Sequence, residues 1–256
     1  MFAQINELIK VIDDAVWGLP LICLIMVTGI LLTVRLGGVQ VRHLGTAFKF
    51  MFQDEEDGHG EVTSFGALCT ALSATIGTGN IAGVATAIAA GGPGALFWMV
   101  VAAFFGMATK YSEGLLAIKY RTIDQDGHVL GGPFYYIENG MGKKWKWLAK
   151  IFAFFGAGVG LFGIGTFTQV NSIASAVKNF FDPDMAHTVT VLGNDYSIAT
   201  VIAGILLTVF VGLVVIGGIK RISKVSEVVV PFMAGFFFVF CLVFFFLKIK
   251  GGPGAF

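Results

Sequence analysis

Polar and apolar positions along this chain separate into blocks, with long uncharged runs divided by short charged segments. A bilayer core about 30 Å thick is crossed by roughly 20 apolar helical residues. Residues 16–34, 62–109, 151–171 and a little beyond, 196–219 and 228–247 meet that requirement without an Asp, Glu, Lys or Arg. The second run is more than twice the length of one crossing and is cut by Gly91-Gly92-Pro93-Gly94, a strong breaker cluster, so it reads as two helices joined by a tight turn. The pattern predicts an all-α integral membrane protein with six transmembrane helices. Residues 16–34 follow no basic segment and precede no small-residue cleavage site, so they are expected to remain as an anchor.

Between the first two spans, residues 39–52 mix Arg42, His43 and Lys49 with Val41, Leu44, Phe48 and Phe50, which suits a helix lying in the membrane interface. The acidic cluster Asp54, Glu55, Glu56 and Asp57 reads as a solvated loop. Lysines and arginines fall mostly on one side, between Arg35 and Lys49, between Lys119 and Lys150, and between Lys220 and Lys224. By the positive-inside rule that side is cytoplasmic, which puts the N-terminus outside.

Composition narrows the function. Hydrophobic residues make up 56% of the chain, charged residues 13%, and the mean hydropathy is +0.82, all far from the soluble norm. A net charge of +1 with no continuous basic face argues against nucleic-acid binding. Cys23, Cys69 and Cys241 each sit in an apolar run, and His43, His59, His128 and His187 are scattered, so neither a disulfide nor a metal centre is expected. The spans hold no Ser/His/Asp, Cys/His or paired-carboxylate arrangement, so an enzyme is not expected and no cofactor is implied.

The candidate chemistry lies in Ser73-Ala-Thr-Ile-Gly-Thr-Gly-Asn-Ile-Ala-Gly83. Gly77 and Gly79 flank Thr78 in mid-span, and each weakens a helix by about 1 kcal/mol relative to alanine. Unwound backbone at membrane depth is tolerated only where it lines a cavity, so a break over Gly77, Thr78, Gly79 and Asn80 predicts a buried polar site. Carbonyls closing the first half-helix, at Ala74, Thr75 and Ile76, suit a small hard cation such as Na⁺. N–H groups opening the second half, near Gly79 and Asn80, suit a carboxylate. The same glycines have a plainer use, since Gly79 and Gly83 form a G-x-x-x-G pair that serves close helix packing equally well.

The fourth span carries Gly156, Gly158, Gly160, Gly163 and Gly165, followed by Thr166, Thr168, Gln169, Asn171 and Ser172. An amide in hydrocarbon is costly unless it meets a partner or a ligand, which makes Gln169 the side-chain candidate; an interhelical hydrogen bond would satisfy it as well. Lys110 and Glu113, one turn apart, read as a structural ion pair, and Glu227 with Arg221 or Lys224 reads the same way.

Gly77-Thr-Gly-Asn-Ile-Ala-Gly83, Gly91-Gly-Pro-Gly-Ala-Leu-Phe-Trp-Met99, Gly106-Met-Ala-Thr-Lys110, Gly131-Gly-Pro-Phe-Tyr-Tyr-Ile-Glu138 and the stretch from Gly163 to Ser172 together closely resemble the alanine/glycine:cation symporter family, of the amino acid, polyamine and organocation superfamily. The resemblance implies a secondary transporter of a prokaryotic cell membrane, built from two five-helix inverted repeats, in which Na⁺ or H⁺ drives uptake of alanine or glycine. On that pattern, residues 1–61 hold an extra helix and the interfacial segment. Residues 62–250 are the first five-helix repeat, and 251–256 begin a connection to a second repeat missing from this chain, so a second half-chain or a homodimer would be the partner. The substrate pocket transfers to Gly77, Thr78, Gly79, Asn80 and Gln169. A membrane subunit that retains one repeat without transporting is the alternative expectation.

Overall fold

In a computed structural model, the described residues are 2–53, 60–163, 165–191 and 193–248. The acidic cluster and residues 251–256 lie outside them. Helices dominate: α1 (Phe2–Val16), α2 (Leu19–Arg35), α3 (Val39–Arg42), α4 (Leu44–Met51), α5 (Ser64–Thr75), α6 (Ala82–Gly91), α7 (Gly94–Lys119), α8 (Pro133–Met141), α9 (Lys146–Phe162), α10 (Thr166–Phe181), α11 (Ile198–Val215) and α12 (Gly218–Lys248). Two antiparallel hairpins interrupt them, β1 (Thr122–Ile123) with β2 (Val129–Leu130), and β3 (Thr188–Val191) with β4 (Asn194–Ser197).

Among the described residues, five helical stretches are long and apolar enough to cross a membrane: Gln4–Arg35, Gly94–Lys119, Lys143–Phe181, Ile198–Val215 and Gly218–Leu247. Ser64–Thr75 and Ala82–Gly91 are shorter apolar helices, separated by the segment predicted to be broken. The Gly91–Gly94 cluster separates α6 from α7, with Gly92 at φ +71°, a conformation glycine adopts without cost. The segment read as interfacial is helical over Val39–Arg42 and Leu44–Met51, and His43 divides the two pieces.

Two compact units group the described residues, the first from residues up to 49 with 83–161, the second from 50–82 and from 162 onward. In the first unit α2 packs on α7. Gly29 makes the approach possible, because a Cβ there would lie 2.9 Å from the Phe105 Cβ and 3.0 Å from its carbonyl oxygen. Lys110 meets Glu113 at 2.8 Å on α7, with side chains 81% and 39% exposed. Burial and the nearby Glu113 carboxylate push the Tyr136 phenol of α8 above its ordinary range, while Lys110 acts the other way.

In the second unit α12 packs on α5, α11 on both α10 and α12, and the turn between α5 and α6 on α10. At the far end of α10, Asp182 ties the following loop together. Its carboxylate accepts from the Ser197 hydroxyl at 2.6 Å and from the N–H groups of Ala186 at 2.7 Å and His187 at 3.4 Å. Those donors, the Ser197 hydroxyl first, hold the carboxyl below its usual range although Asp182 is buried.

Candidate functional site at the helix break

Thr63 caps α5, accepting the Gly66 N–H at 3.0 Å, and the helix runs to a last main-chain bond from the Ile76 N–H to the Leu72 carbonyl, at 2.7 Å. There the backbone leaves the helix. Ile76 is extended at φ −85°, ψ 107°, Gly77 is extended at φ −139°, ψ −167°, and Thr78–Asn80 form a single 3₁₀ turn before α6. The Gly77 N–H donates to Asn80 Oδ1 at 3.2 Å, where a continuing helix would have sent it to the Ser73 carbonyl. Ala74, Thr75 and Ile76 therefore place their carbonyls past the last helical hydrogen bond, the orphan position at any helix C-terminus.

Asn80 differs from the sequence expectation in one atom. Its N–H is not free to meet a ligand, because it donates to the Gly77 carbonyl at 3.0 Å within the 3₁₀ turn. The Ile81 N–H likewise goes to Thr78 at 3.2 Å. What Asn80 contributes is its side-chain oxygen, which closes the turn onto Gly77.

A second break delivers Gln169. The fourth predicted span is not one helix, because the chain turns between α9 and α10, with Gly163 at φ +61° and Gly165 at φ +92°. An L side chain at either position would be strained, which is the physical reason for glycine there. Gln169 consequently sits in the first turns of α10, with its N–H to the Gly165 carbonyl at 3.4 Å, and the start of this helix packs on the Thr78–Asn80 turn. A Cβ added to Gly77 would stand 2.9 Å from Gln169 Nε2 and 3.2 Å from its Cδ. The two candidates that the sequence placed in different spans are therefore neighbours.

The close-packing use of the glycines falls elsewhere than expected. Among the described residues, neither Gly79 nor Gly83 has an atom within 4 Å of where a Cβ would lie, whereas Gly77, Gly66 and Gly29 each do. Gly79 thus leaves open space beside the turn. The arrangement provides main-chain carbonyls at Ala74–Ile76, a polar turn at 77–80, a side-chain amide from Gln169 and no charged side chain. Dipoles of this kind suit a small zwitterion or a hard cation.

A cavity of about 530 Å³ between α10 and α11 does not border this turn; it is lined by Val177, Phe181, Ile202 and Leu206, with Asp182 and His187 as its polar residues. With both Asp182 oxygens already accepting hydrogen bonds, that apolar space is a poor amino-acid site. The sequence reading missed this Asp182 knot and the contact of Glu227 with Thr63, at 2.8 Å. The signal for the second was present in the helical spacing of Ser223, Ser226, Glu227 and Val230.

Comparison with known proteins bears on the chain as a whole. The model of the sodium:alanine symporter family matches residues 2–256. An uncharacterized transporter of Haemophilus influenzae is 49% identical over 98% of this chain and 51% of its own length. The sodium/alanine symporter AgcS of Methanococcus maripaludis is 47% identical over 93% of this chain and 50% of its own. The uncharacterized transporter YflA of Bacillus subtilis is 41% identical over 89% and 45%. The chain spans about half the length of the curated relatives it matches.

Proposed function

Because this chain belongs to the sodium:alanine symporter family, a family of membrane transporters and not of enzymes, we propose that it serves Na⁺-coupled symport of a small neutral amino acid, alanine or glycine, into a prokaryotic cell. The observation that carries the proposal is the meeting of a helix break with a side-chain amide, Gly77 against Gln169, from two uncharged runs of the sequence. Ala74, Thr75 and Ile76 hold Na⁺ through their carbonyls. Gly77, Thr78, Gly79, Asn80 and Gln169 hold the amino acid.

The mechanism is alternating access, and differential binding is its energetic core. Na⁺ seated on the carbonyls that end α5 fixes the extended backbone at Ile76 and Gly77, the same backbone that shapes the amino-acid side of the turn. Each ligand then favours the other by the same factor. A proton in place of Na⁺ would find no titratable side chain in the turn, which favours Na⁺ as the driver. The substrate ammonium has the Gln169 oxygen as an acceptor, and the proposed topology keeps the N-terminus outside. Since the chain spans about half of its relatives' length, the activity is proposed for the complete transporter, with a second half or a second copy forming the rest of the pocket.

The test is sodium-gradient-driven uptake of labelled alanine into proteoliposomes. One preparation holds this chain alone; the other holds a chimera in which it replaces the matching half of the Methanococcus maripaludis symporter. Uptake by the chimera that stops when the gradient is dissipated supports the proposal, and uptake by the chain alone would add that a second copy completes the site. No uptake in either, with insertion verified, rejects it.

A further inference from the structure

On α12, Ser223, Ser226, Glu227 and Val230 follow the i, i+3, i+4, i+7 spacing of one helix face, and Ser223, Ser226 and Val230 are only 3%, 7% and 4% exposed. Opposite them on α5 lie Gly66, which is buried, and Cys69, 1% exposed. These small residues bring two backbones together. A Cβ on Gly66 would overlap Glu227 Oε1 and Ser223 Oγ, and it would stand 2.9 Å from Thr63 Oγ1.

The polar contacts at this spot form a chain. The Gly66 N–H donates to Thr63 Oγ1 at 3.0 Å, and the Thr63 hydroxyl donates its one proton to Glu227 Oε1 at 2.8 Å. A carboxylate is thus tied through a hydroxyl to the N-terminal end of α5, the positive end of that helix dipole. Of the two basic neighbours expected to pair with Glu227, Arg221 directs its Nη1 to the Leu213 carbonyl at 2.9 Å. Pro231, four residues after Glu227, has no N–H to give the Glu227 carbonyl, so α12 lacks one main-chain bond at this contact.

We propose that Thr63 and Glu227 are positioning residues that form a polar latch between α12 and the first half of the broken helix. The latch fixes α5 at its N-terminal end, and α5, an uninterrupted helix of 12 residues, carries that constraint about 18 Å to the carbonyls of Ala74–Ile76. Position at the break is thereby set from α12, with no contact between Glu227 and any ligand. This consequence for coupling rests on the proposed transport function; the latch does not.

Cys69, sealed on the same face one turn from Gly66, reports the state of the latch. Membranes containing the chain are treated with N-ethylmaleimide, and labelling at each cysteine is followed by mass spectrometry. Thr63→Val and Glu227→Ala are expected to raise the Cys69 rate at least tenfold, with the rates at Cys23 and Cys241 unchanged. Thr63→Ser, which keeps the hydroxyl, should match the native chain, and the double variant should be no faster than the faster single one. Equal Cys69 rates in Thr63→Val and Thr63→Ser would overturn the latch, and these two variants decide it even if Glu227→Ala fails to insert.

In the chimera, Thr63→Val should shift the Na⁺ concentration for half-maximal alanine uptake at least threefold, and Thr63→Ser should leave it in place. An opened Cys69 with unchanged Na⁺ dependence would overturn the constraint on the break. Absence of uptake in the native chimera strikes the transport reading instead, and leaves the labelling result standing.

Discussion

The Gln169 amide occupies the space in which residue 77 would carry a Cβ, with Nε2 2.9 Å and Cδ 3.2 Å from that position. An alanine at 77 must displace the amide, and because the amide is the far end of a flexible side chain it can move without unfolding α10. Gly77→Ala and Gln169→Ala should therefore fail in the same way. Each is expected to raise the alanine concentration for half-maximal uptake about tenfold, equivalent to about 1.4 kcal/mol of lost binding, at unchanged folded yield. The double variant should be no worse than the poorer single one, as for groups acting as a unit. Additive losses in a double-mutant cycle on uptake would separate the two residues.

Gly79 and Gly29 make an opposite pair. A Cβ at Gly79 meets open space, so Gly79→Ala should leave the detergent-solubilised thermal midpoint where it is. At Gly29 the obstruction is the Phe105 backbone and Cβ, which cannot swing aside, and α2 must move from α7. Overpacking of that kind costs about 1–3 kcal/mol, so Gly29→Ala should lower the thermal midpoint by several degrees. An equal effect of the two substitutions would contradict the packing described.

Asp182 gives a pH dependence with a definite sign. Its folded carboxyl titrates below the ordinary value of about 3.9, so its contribution to the α10–β3 loop is complete above that pH and is lost as the pH falls below it. Carboxyl NMR of Asp182 in micelles should give a midpoint below 3.9, and Ser197→Ala should raise it. A native midpoint at or above 3.9 would mean that the Ser197 and backbone donors do not act on it.

Legibility of the fold in the sequence followed the physics of each signal. Uncharged runs overlapped all five helical stretches that are long and apolar enough to cross a membrane among the described residues, because an unpaired charge in hydrocarbon is costly wherever it occurs. The same criterion started the last span at residue 228, whereas α12 starts at Gly218, and so it cut away the face bearing Ser223, Ser226 and Glu227. The break near Gly77 could be read from two glycines in mid-span. The break at Gly163 and Gly165 could not, because glycines at 156, 158 and 160 nearby sit within regular helix and composition does not say which will take positive φ. That Gln169 meets Gly77 is a tertiary contact between residues 92 positions apart (169 − 77), beyond the reach of any local pattern.

Reciprocal linkage between Na⁺ and alanine tests the central claim most directly. In the chimera, the alanine dissociation constant is measured at low and at saturating Na⁺, and the Na⁺ dissociation constant without and with saturating alanine. Shared backbone at Ile76 and Gly77 predicts that each ligand tightens the other by one common factor, of about fivefold or more, and that Gln169→Ala weakens alanine while leaving Na⁺ affinity in the absence of alanine unchanged. Alanine binding that is indifferent to Na⁺ would contradict the account.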